Sequence, residues 1–477
     1  MNPTHSALFT DLYELTMIQG YFLCHENHDV VFDMFFRRQP FSGGFSVFAG
    51  LDDLLDQLEA FAFSDDDIEY LRSLGQFKDE FLTFLRDFRF RGNVYAMPEG
   101  SIAFPGEPLI RVHASLIEAQ LIEGMLLNTI IFQTLIATKA ARVYTASDKG
   151  LVLEFGLRRA QGPDGAMRAS RAAYIGGAAA TSNTLAGKWY GIPVKGTMAH
   201  SWVMAFASEH ESFERYADIY PDATILLIDT YDTLGSGIEH AIEVGKKMKS
   251  RGHKIGVRLD SGDLEYLSKQ VRRRLDAAGL EDATITASNE LSEEIIHQLI
   301  TSGSPIDSWG VGTSMVTGGD DSSLTGVYKL AAKGDGALKP VIKISNQLAK
   351  TTNPGVKQVY RFREDGGCPL ADLIALDDEE VAEGRRYTFH HPDLSARKFE
   401  MAHYGTIEPM LRAQMEDGRR LHERRPLKEL QDHCKASLGE LDETYKRIIN
   451  PHIYKVSLSD DLARLKRDLV NQFTAEI

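Results

Sequence analysis

The chain has 477 residues, 43% of them hydrophobic, and a formal net charge of −15 at pH 7. A single core seldom serves a chain of this length, so we expect two or three packed units in a sizeable enzyme. The negative charge is spread along the sequence and argues against nucleic acid as a partner, which needs a basic face, although local arginines could still bind anionic ligands.

The cysteines and the N-terminal sequence indicate the cellular compartment. Three cysteines occur, Cys24, Cys368 and Cys434, and their wide spacing suits neither a zinc site nor a disulfide framework. The N-terminus lacks a basic segment followed by an apolar core, and we identify no apolar run of membrane-spanning length. We therefore expect a cytoplasmic protein without a membrane partner.

The first region, residues 1–139, mixes helical and extended patterns. Residues 12–22 have the pattern of a helix, and residues 94–112 alternate strand-like pieces with turns that contain proline and glycine. A long apolar helix, roughly residues 115–141, follows. We expect an α+β domain that ends in a linking helix.

The second region, residues 140–345, alternates short apolar strands with helical stretches. The predicted helices include residues 167–180, 237–250, 264–278 and 292–301. This alternation implies parallel strands with crossover helices. Because it repeats without a glycine-rich dinucleotide motif, we expect an irregular parallel α/β barrel rather than an open sheet.

The third region, residues 346–477, begins with a polar run at residues 350–358 and ends in charged helical sequence. We expect it to pack on the N-terminal domain, so that the N- and C-terminal regions build one additional α+β domain beside the barrel.

Polar side chains follow the predicted strands of the second region. The segments at the strand ends are residues 154–159, 196–202, 229–232, 258–263 and 288–290. In α/β barrels the carboxyl ends of the strands carry the catalytic groups. We therefore expect one active site assembled from several strand ends.

His200 is the central candidate of these segments. A single histidine is more often structural or merely exposed than catalytic. His200, however, follows a strand and stands beside Thr197 and Ser201. A neutral imidazole held by a carboxylate or a hydroxyl could act as a base, or as a nucleophile toward phosphorus.

The charged residues at the strand ends have two interpretations. The three arginines (Arg158, Arg159 and Arg258) could form surface salt bridges, or could bind carboxylate and phosphate groups in a bidentate manner. The four aspartates (Asp229, Asp232, Asp260 and Asp263) could cap helices, or could bind a sugar's hydroxyls and a magnesium ion.

A glycine-containing segment lies late in the second region, at residues 309–314. It is neither a Walker loop nor a dinucleotide motif. It could be a simple turn, or a loop whose backbone N–H groups bind phosphate, with Gly310, Gly312 and Thr313 as the candidates.

Taken together, these motifs resemble the nicotinate phosphoribosyltransferase family of type II phosphoribosyltransferases. The resemblance covers most of the chain. The segments that carry it are residues 10–17 (TDLYELTM), 36–38 (FRR), 40–44 (PFSGG), 154–159 (EFGLRR), 196–201 (GTMAHS), 258–263 (RLDSGD), 310–313 (GVGT) and 350–358 (KTTNPGVKQ).

The resemblance implies a reaction and its co-substrates. Members of this family join nicotinate to 5-phosphoribosyl-1-diphosphate (PRPP), giving nicotinate mononucleotide and diphosphate in NAD salvage. ATP hydrolysis is coupled through a phosphohistidine, which would be His200, so the enzyme would be an ATP-coupled ligase. Magnesium would cover the leaving diphosphate. Asp229 would steady either His200 or the ribose hydroxyls.

The resemblance also implies a binding pocket for the base. The pyridine ring would lie between Phe155 and Tyr13, the latter from a second subunit, which implies a homodimer with active sites at the subunit interface. Arg258, with Thr197 nearby, would bind the nicotinate carboxylate. Arg158 would serve the phosphates or the phosphoribosyl group, and Asp260 would also contact substrate.

Asn183 carries an argument about specificity, because nicotinamide-specific relatives have an aspartate in this stretch. Two negative charges about 4 Å apart repel by roughly 4 kcal/mol at an effective dielectric of about 20. A neutral asparagine removes that penalty for a carboxylate substrate and favours nicotinate. The alternative is an ordinary asparagine at a helix start.

Three other enzymes remain as alternatives. They are the nicotinamide-using enzyme, the decarboxylating quinolinate enzyme, and a barrel lyase or aldolase in which Lys195 would form a Schiff base. His200 argues against the quinolinate enzyme, which needs no phosphohistidine.

Overall fold

The computed structural model describes residues 6–345, 347, 350–394 and 396–475. The chain divides into two compact units. The first unit combines the N-terminal segment, up to Leu135, with the segment that begins at Ser323, and the second unit is Ile136–Ser322. The division falls within one long helix.

The N-terminal segment is α+β, as its sequence pattern indicates. Its elements are α1 (Leu12–Cys24), β1 (Asp29–Phe36), β2 (Ser46–Val47), α2 (Leu51–Glu59), α3 (Asp65–Ser73), α4 (Asp79–Asp87), β3 (Asn93–Ala96), β4 (Ile102–Ala103), β5 (Ile110–Ser115), α5 (Leu116–Leu121) and α6 (Glu123–Ala146). Ser64 starts α3 with a capping box, because its hydroxyl accepts from Asp67 N at 3.2 Å and the Asp67 carboxylate accepts from Ser64 N at 2.8 Å.

The middle segment alternates strands and helices. Its elements are β6 (Leu151–Glu154), α7 (Gly162–Ile175), β7 (Ala180–Thr181), α8 (Thr184–Tyr190), α9 (His200–Met204), α10 (Glu209–Ile219), β8 (Ile225–Leu227), α11 (Ile238–Ser250), β9 (Gly256–Leu259), α12 (Leu264–Ala277), β10 (Thr284–Ala287), α13 (Glu293–Thr301), β11 (Ser308–Val311) and α14 (Thr313–Thr317).

The C-terminal segment is mainly extended. Its elements are β12 (Gly326–Gly334), β13 (Lys339–Pro340), β14 (Lys357–Arg363), β15 (Pro369–Leu376), β16 (Tyr387–His390), β17 (Lys398–Met401), β18 (Thr406–Pro409), β19 (Arg412–Glu416), β20 (Arg419–Arg420), α15 (Leu427–Glu440), α16 (Glu443–Lys446), β21 (Val456–Leu458) and α17 (Asp460–Ala475).

Two large sheets organise the first unit. A seven-stranded sheet has the order β13-β12-β1-β5-β3-β19-β20, and a six-stranded sheet has the order β17-β16-β21-β15-β14-β18. The N-terminal strands form the centre of the first sheet and C-terminal strands flank them, since β1 pairs with β12 and β3 pairs with β19. The apolar side chains of this sheet and of α1 to α5 form one extensive buried core.

A single parallel sheet organises the second unit and confirms the predicted α/β class. Its order is β7-β6-β11-β10-β9-β8, and every pairing in it is parallel. The last strand therefore lies beside the first. An isolated parallel bridge between Thr181 and Val194 extends the sheet beyond β7. Because all strands run the same way, their carboxyl ends lie at one edge.

The second unit also contains a buried ion-pair cluster. Glu293, in the first turn of α13, is fully buried, and both of its carboxylate oxygens accept from Lys139 Nζ at 2.9 Å. The Nε of Arg142 donates to the same carboxylate at 2.8 Å. These two cations hold the pKa of Glu293 below its usual value, although burial alone would raise that pKa.

Three sequence expectations differ from the structure. The predicted helix 115–141 is two helices, α5 and α6. The predicted helix 167–180 ends at Ile175, because Gly177 adopts a φ of +117°, which a right-handed helix cannot include. The predicted barrel region extends to residue 345, whereas β12 pairs with β1 and belongs to the first unit.

Helix α6 departs from the expectation that no segment could span a membrane. Its 24 residues are long and apolar enough for a span by length and composition. However, 72% of its most apolar window is buried inside the structure, as in the core helix of a soluble protein. By itself, this single helix is weak evidence for a membrane segment.

Candidate active site

The carboxyl edge of the parallel sheet brings together side chains that are far apart in sequence. Asp229 and Thr230 follow β8, Arg258 lies in β9, Asp260 follows β9, and Ser288 follows β10. His200 is the first residue of α9, and Thr197 lies in the loop before that helix. These residues are called the strand-end cluster below; hydrogen bonds connect Arg258 to its neighbours and His200 to Thr230, and a 3.7 Å contact joins His200 to Asp260.

Arg258 is the centre of the strand-end cluster. Its guanidinium donates to Thr197 Oγ1 at 2.5 Å, to Ser288 Oγ at 2.9 Å and to Asp260 Oδ1 at 3.0 Å. It also donates to the carbonyl of Met198 at 3.1 Å. Thr197 therefore lies beside Arg258, as the resemblance implies. The charge of Arg258 is already compensated by Asp260, so an anionic ligand there would share the guanidinium.

Asp260 is held as a carboxylate. Burial would raise its pKa, but the hydrogen bond from Ser288 and the neighbouring charge of Arg258 outweigh burial, and the net pKa lies below its usual value. Asp260 therefore remains ionised at neutral pH. It supplies a fixed negative charge between Arg258 and His200.

The imidazole of His200 has two polar neighbours. Its Nδ1 lies 3.1 Å from Thr230 Oγ1, and its Nε2 lies 3.7 Å from Asp260 Oδ2. The side chain is 41% exposed, so a ligand can reach the ring. The partners of the ring are thus Thr230 and Asp260, whereas the contacts of Asp229 lie elsewhere.

Asp229 supports the loop after β9. Its Oδ2 accepts from the backbone N–H of Asp260 at 2.8 Å and from the hydroxyl of Ser261 at 2.7 Å. Its Oδ1 is buried and has no hydrogen-bond partner within the described part of the chain. One oxygen of this carboxylate thus orients the Asp260 loop, and the other is a buried acceptor without a partner among the described residues.

The other two candidate aspartates cap local turns. Asp263 accepts from Tyr266 N at 3.0 Å and caps α12. Asp232 accepts from Gly235 N at 2.9 Å in the turn before α11. The capping interpretation therefore describes Asp232 and Asp263, whereas Asp229 and Asp260 belong to the strand-end cluster.

Phe155 and Gly310 meet at the same edge of the sheet. The backbone N of Phe155 donates to Val311 O at 2.8 Å, and the Phe155 ring lies against Gly310. A Cβ at Gly310 would come within 2.6 Å of that ring. Gly310 is therefore needed for the position of the aromatic ring, whatever contact it makes with phosphate.

Gly312 and Thr313 lie at the start of the five-residue helix α14, where Gly312 is the N-cap and Thr313 the first helical residue. Arg158 lies in a short turn after β6 and is exposed. Arg158 follows β6, as Phe155 does, and Gly312 and Thr313 follow β11, so all of them lie at the carboxyl edge of the sheet. Their proposed phosphate contacts stay predictions.

Asn183 is the N-cap of α8. Its Oδ1 accepts from Ala186 N at 3.2 Å, and its Nδ2 donates to Ser170 Oγ at 3.3 Å. Ser170 in turn donates to the buried carboxylate of Glu154 at 2.9 Å, and Thr181 donates to the same carboxylate. Asn183 thus has the structural role that was its alternative interpretation, and its role in specificity stays a prediction.

Tyr13 lies in the first compact unit, on α1, and its side chain is 49% exposed. Burial and a hydrogen bond to Glu14 raise the pKa of Tyr13 well above its usual value, so the phenol stays neutral. Its contact with the base, which the resemblance assigns to a second subunit, stays a prediction.

The sequence-based prediction of site residues did not include Thr230, Ser261 and Ser288. A weak signal for all three existed, because each stands in a polar segment directly after a predicted strand. Hydroxyl side chains at strand ends are common, however, and spacing alone does not show which of them face the histidine or the arginine.

The donor set is compatible with magnesium only in part. Within the described ranges, no group of three or more His, Cys, Asp or Glu side chains could hold a metal ion. Magnesium prefers oxygen ligands and often takes only one or two carboxylates, with phosphates and waters completing its shell. The partnerless Oδ1 of Asp229 fits that limited role.

Family models match the chain along most of its length. The nicotinate phosphoribosyltransferase (NAPRTase) N-terminal domain matches residues 8–131, the NAPRTase family model matches residues 151–393, and the C-terminal domain matches residues 356–466.

Individual relatives agree with the family models. The nicotinate phosphoribosyltransferase of Bacillus subtilis is 43% identical over 476 residues, covering 99% of this chain and 96% of the relative. The nicotinate phosphoribosyltransferase pncB2 of Mycobacterium tuberculosis is 45% identical over 424 residues, covering 86% of this chain and 90% of the relative. The crystal structure of human nicotinic acid phosphoribosyltransferase has a TM-score of 0.85 at 32% identity, covering 96% of this chain and 99% of that chain. The chain belongs to the nicotinate phosphoribosyltransferase family.

Proposed function

We propose that this chain transfers a phosphoribosyl group from PRPP to nicotinate, giving nicotinate mononucleotide and diphosphate, in the salvage of nicotinate to NAD. The observation that carries the proposal is the strand-end cluster, in which Arg258, Asp260 and His200 lie together at the carboxyl edge of a parallel sheet. Membership of the family supports the same reaction.

The base would bind beside Phe155. The ring of Phe155 rests on Gly310, so one face of this aromatic side chain is fixed by the backbone behind it. Arg258 and Thr197 would bind the nicotinate carboxylate, because a guanidinium and a hydroxyl both donate hydrogen bonds to it. Tyr13 of a second subunit would cover the other face of the pyridine ring, which implies a homodimer.

The transfer step would pass through a ribose with oxocarbenium character. No side chain needs to form a bond to the sugar, so the residues act by positioning and by electrostatic stabilisation. Asp229 would accept hydrogen bonds from the ribose hydroxyls, since its contacts in this structure are to the Asp260 loop and not to the histidine. Arg158, Gly312 and Thr313 would serve the phosphates.

A magnesium ion, when bound, would neutralise charge on the leaving diphosphate. Asp229 would contribute an oxygen to this ion, because its Oδ1 has no hydrogen-bond partner among the described residues.

ATP hydrolysis would be coupled through His200. If Nδ1–H donates to Thr230 Oγ1, the lone pair of the ring is on Nε2. Nε2 then attacks the γ-phosphorus of ATP, the bond to ADP breaks, and an N–P bond forms. Water later breaks that bond and releases phosphate. The nearby carboxylate of Asp260 would repel the phosphoryl group and keep the phosphohistidine labile.

The proposal also covers the barrel architecture of the second unit and the cellular location of the protein. The order of the parallel sheet, in which β11 pairs with β6, is the order of a barrel opened between β7 and β8. The bridge at Val194 lies in that gap of the sequence, and we infer that this segment completes an irregular barrel. We also propose a cytoplasmic location.

One assay tests the proposed reaction. Purified protein is incubated with PRPP and either nicotinate, nicotinamide or quinolinate, with and without ATP, and the mononucleotide is measured. We expect product from nicotinate, more of it with ATP, and ADP formed in parallel. Product from nicotinamide or quinolinate in preference to nicotinate would reject the substrate, and turnover without any ATP dependence would reject the coupling.

A further inference from the structure

A cavity lies in the first compact unit, among C-terminal elements. Its volume is about 910 Å³, and residues of β16, β17, β21 and the segment before β21 line it. A cavity of this size can hold a ligand as large as a nucleotide. None of the residues of the strand-end cluster lines it, so the proposed transferase reaction does not account for it.

The lining of this cavity is strongly basic, although the chain as a whole carries a net charge of −15. Its basic residues are His391, Arg397, Lys398, Arg447, His452 and Lys455, and no aspartate or glutamate is among the described residues that line the cavity. Like charges around one cavity repel each other, so an anion that binds there would relieve an unfavourable interaction.

The cations of the cavity differ from other basic residues of the same unit. Arg386 pairs with Glu400 at 3.0 Å, and Arg363 pairs with Glu408 at 2.9 Å. Within the described residues, by contrast, Arg397, Lys398 and Arg447 form no salt bridge, although the charge of Arg447 also acts on the Asp442 carboxylate. The three cationic groups are therefore not held by a carboxylate.

His391 adds a directed donor. Its Nδ1 accepts from the backbone N–H groups of Asp393 at 3.1 Å and Leu394 at 3.2 Å. A nitrogen that accepts cannot carry the proton of the neutral ring, so the proton is on Nε2. The Nε2–H can then donate to an anionic oxygen.

An aromatic wall completes the cavity and is rigidly held. Tyr454 stacks on Phe104 at a centroid distance of 3.6 Å, and its hydroxyl donates to Asp372 at 2.9 Å. Phe399 stacks on Phe389 at a centroid distance of 4.8 Å and has the ammonium group of Lys455 4.8 Å from its ring centroid. The cavity thus combines a fixed aromatic surface with cations that form no salt bridge.

We propose that this cavity binds a nucleoside polyphosphate. The phosphates would contact Arg397, Arg447 and Lys398, because guanidinium and ammonium groups form charge-assisted hydrogen bonds with phosphate oxygens. The planar base would lie along the edges of Tyr454 and Phe399, because Phe104, Phe389 and Lys455 already cover faces of these two rings. None of the residues of this site is the proposed ATP contact His200.

Isothermal titration calorimetry of the full chain tests this proposal, with ATP, supplied as its non-hydrolysable β,γ-imido analogue, and inorganic tripolyphosphate as the two ligands. Arg447→Glu reverses one cavity charge, and Arg467→Glu makes the same charge change on an exposed residue of α17 outside the cavity. We expect two classes of ATP site per subunit in the wild-type chain and in Arg467→Glu. In Arg447→Glu one class should weaken at least tenfold while the transferase kcat is kept.

The results distinguish a nucleotide site in the cavity from a polyphosphate site and from no site there. Equal weakening in both variants, or the absence of any ATP site that weakens in Arg447→Glu alone, would overturn the cavity site. Equal affinity for tripolyphosphate and ATP at the class lost in Arg447→Glu would overturn the base contact and leave a polyphosphate site. Because binding is measured without turnover, a failed transferase assay has no bearing on this result.

Discussion

Nδ1 of His200 lies 3.1 Å from Oγ1 of Thr230, and both groups stand at the carboxyl edge of the parallel sheet. This contact, rather than one to Asp229, orients the imidazole. The hydroxyl can accept from Nδ1–H or donate to an unprotonated Nδ1, and only the first arrangement leaves the lone pair of the neutral ring on Nε2.

Thr230→Val should therefore impair the coupling to ATP. Losing one hydrogen bond of about 1 kcal/mol predicts a roughly fivefold lower rate of ATP hydrolysis coupled to turnover, with little change in transfer driven by PRPP alone. The measurement compares ADP and mononucleotide formation. Thr230→Ser, which keeps the hydroxyl, should restore the rate; an unrestored rate would mean that packing, not orientation, was lost.

His200→Ala should abolish ATP hydrolysis coupled to turnover, because no phosphoryl acceptor remains, and should leave weak transfer driven by PRPP. Radiolabelled phosphate transfer to the protein provides a direct readout. His253→Ala is a matched control, since His253 lies near the amino end of β9 and pairs with Asp222. Unchanged coupling in His200→Ala would refute the role of this histidine.

Asn183→Asp should weaken the binding of nicotinate more than that of nicotinamide. An aspartate can still cap α8, although it loses the donor to Ser170 Oγ, and the added charge penalises a carboxylate substrate. The KM values for the two bases are compared. Asn183→Ala, which loses the cap at a cost of about 1 kcal/mol, should affect both bases equally; equal effects in Asn183→Asp would reject the charge argument.

Asp260→Asn should show a pH-dependent loss of stability. The folded pKa of Asp260 is depressed, so its contribution is present above the unfolded pKa of about 3.9 and is lost as pH falls through the folded value. The difference in unfolding free energy between wild type and variant should be largest near neutral pH and shrink below about pH 4. Urea titrations across this range measure it, and a difference independent of pH would contradict the assignment.

Glu293→Gln should destabilise the protein by about 3–5 kcal/mol, because it removes the shared anion of two buried cations. Urea unfolding monitored by circular dichroism provides the measurement. Glu294→Gln is the matched control, since Glu294 is exposed on the same helix and should change the free energy of unfolding by less than about 0.5 kcal/mol. Equal effects of the two substitutions would show that the buried cluster is not stabilising.

Much of the second unit could be predicted because its signals are local. The helices α11, α12 and α13 follow from apolar periodicity, and their bounds differ from the expected ones by at most about two residues. The motifs around Phe155, His200 and Arg258 place polar residues after strands, and parallel strands bring those ends to one edge. That is why the expected site residues Thr197, Arg258 and Asp260 lie together.

What only the tertiary structure decided is the pairing of side chains and of distant strands. Thr230 instead of Asp229 meets His200, Asp229 binds the loop at Asp260, and Asn183 caps α8. Strand β12 pairs with β1 across about three hundred residues of chain. The order of residues determines which groups stand at a strand end, but side-chain direction and long-range pairing depend on packing, which spacing in the sequence does not encode.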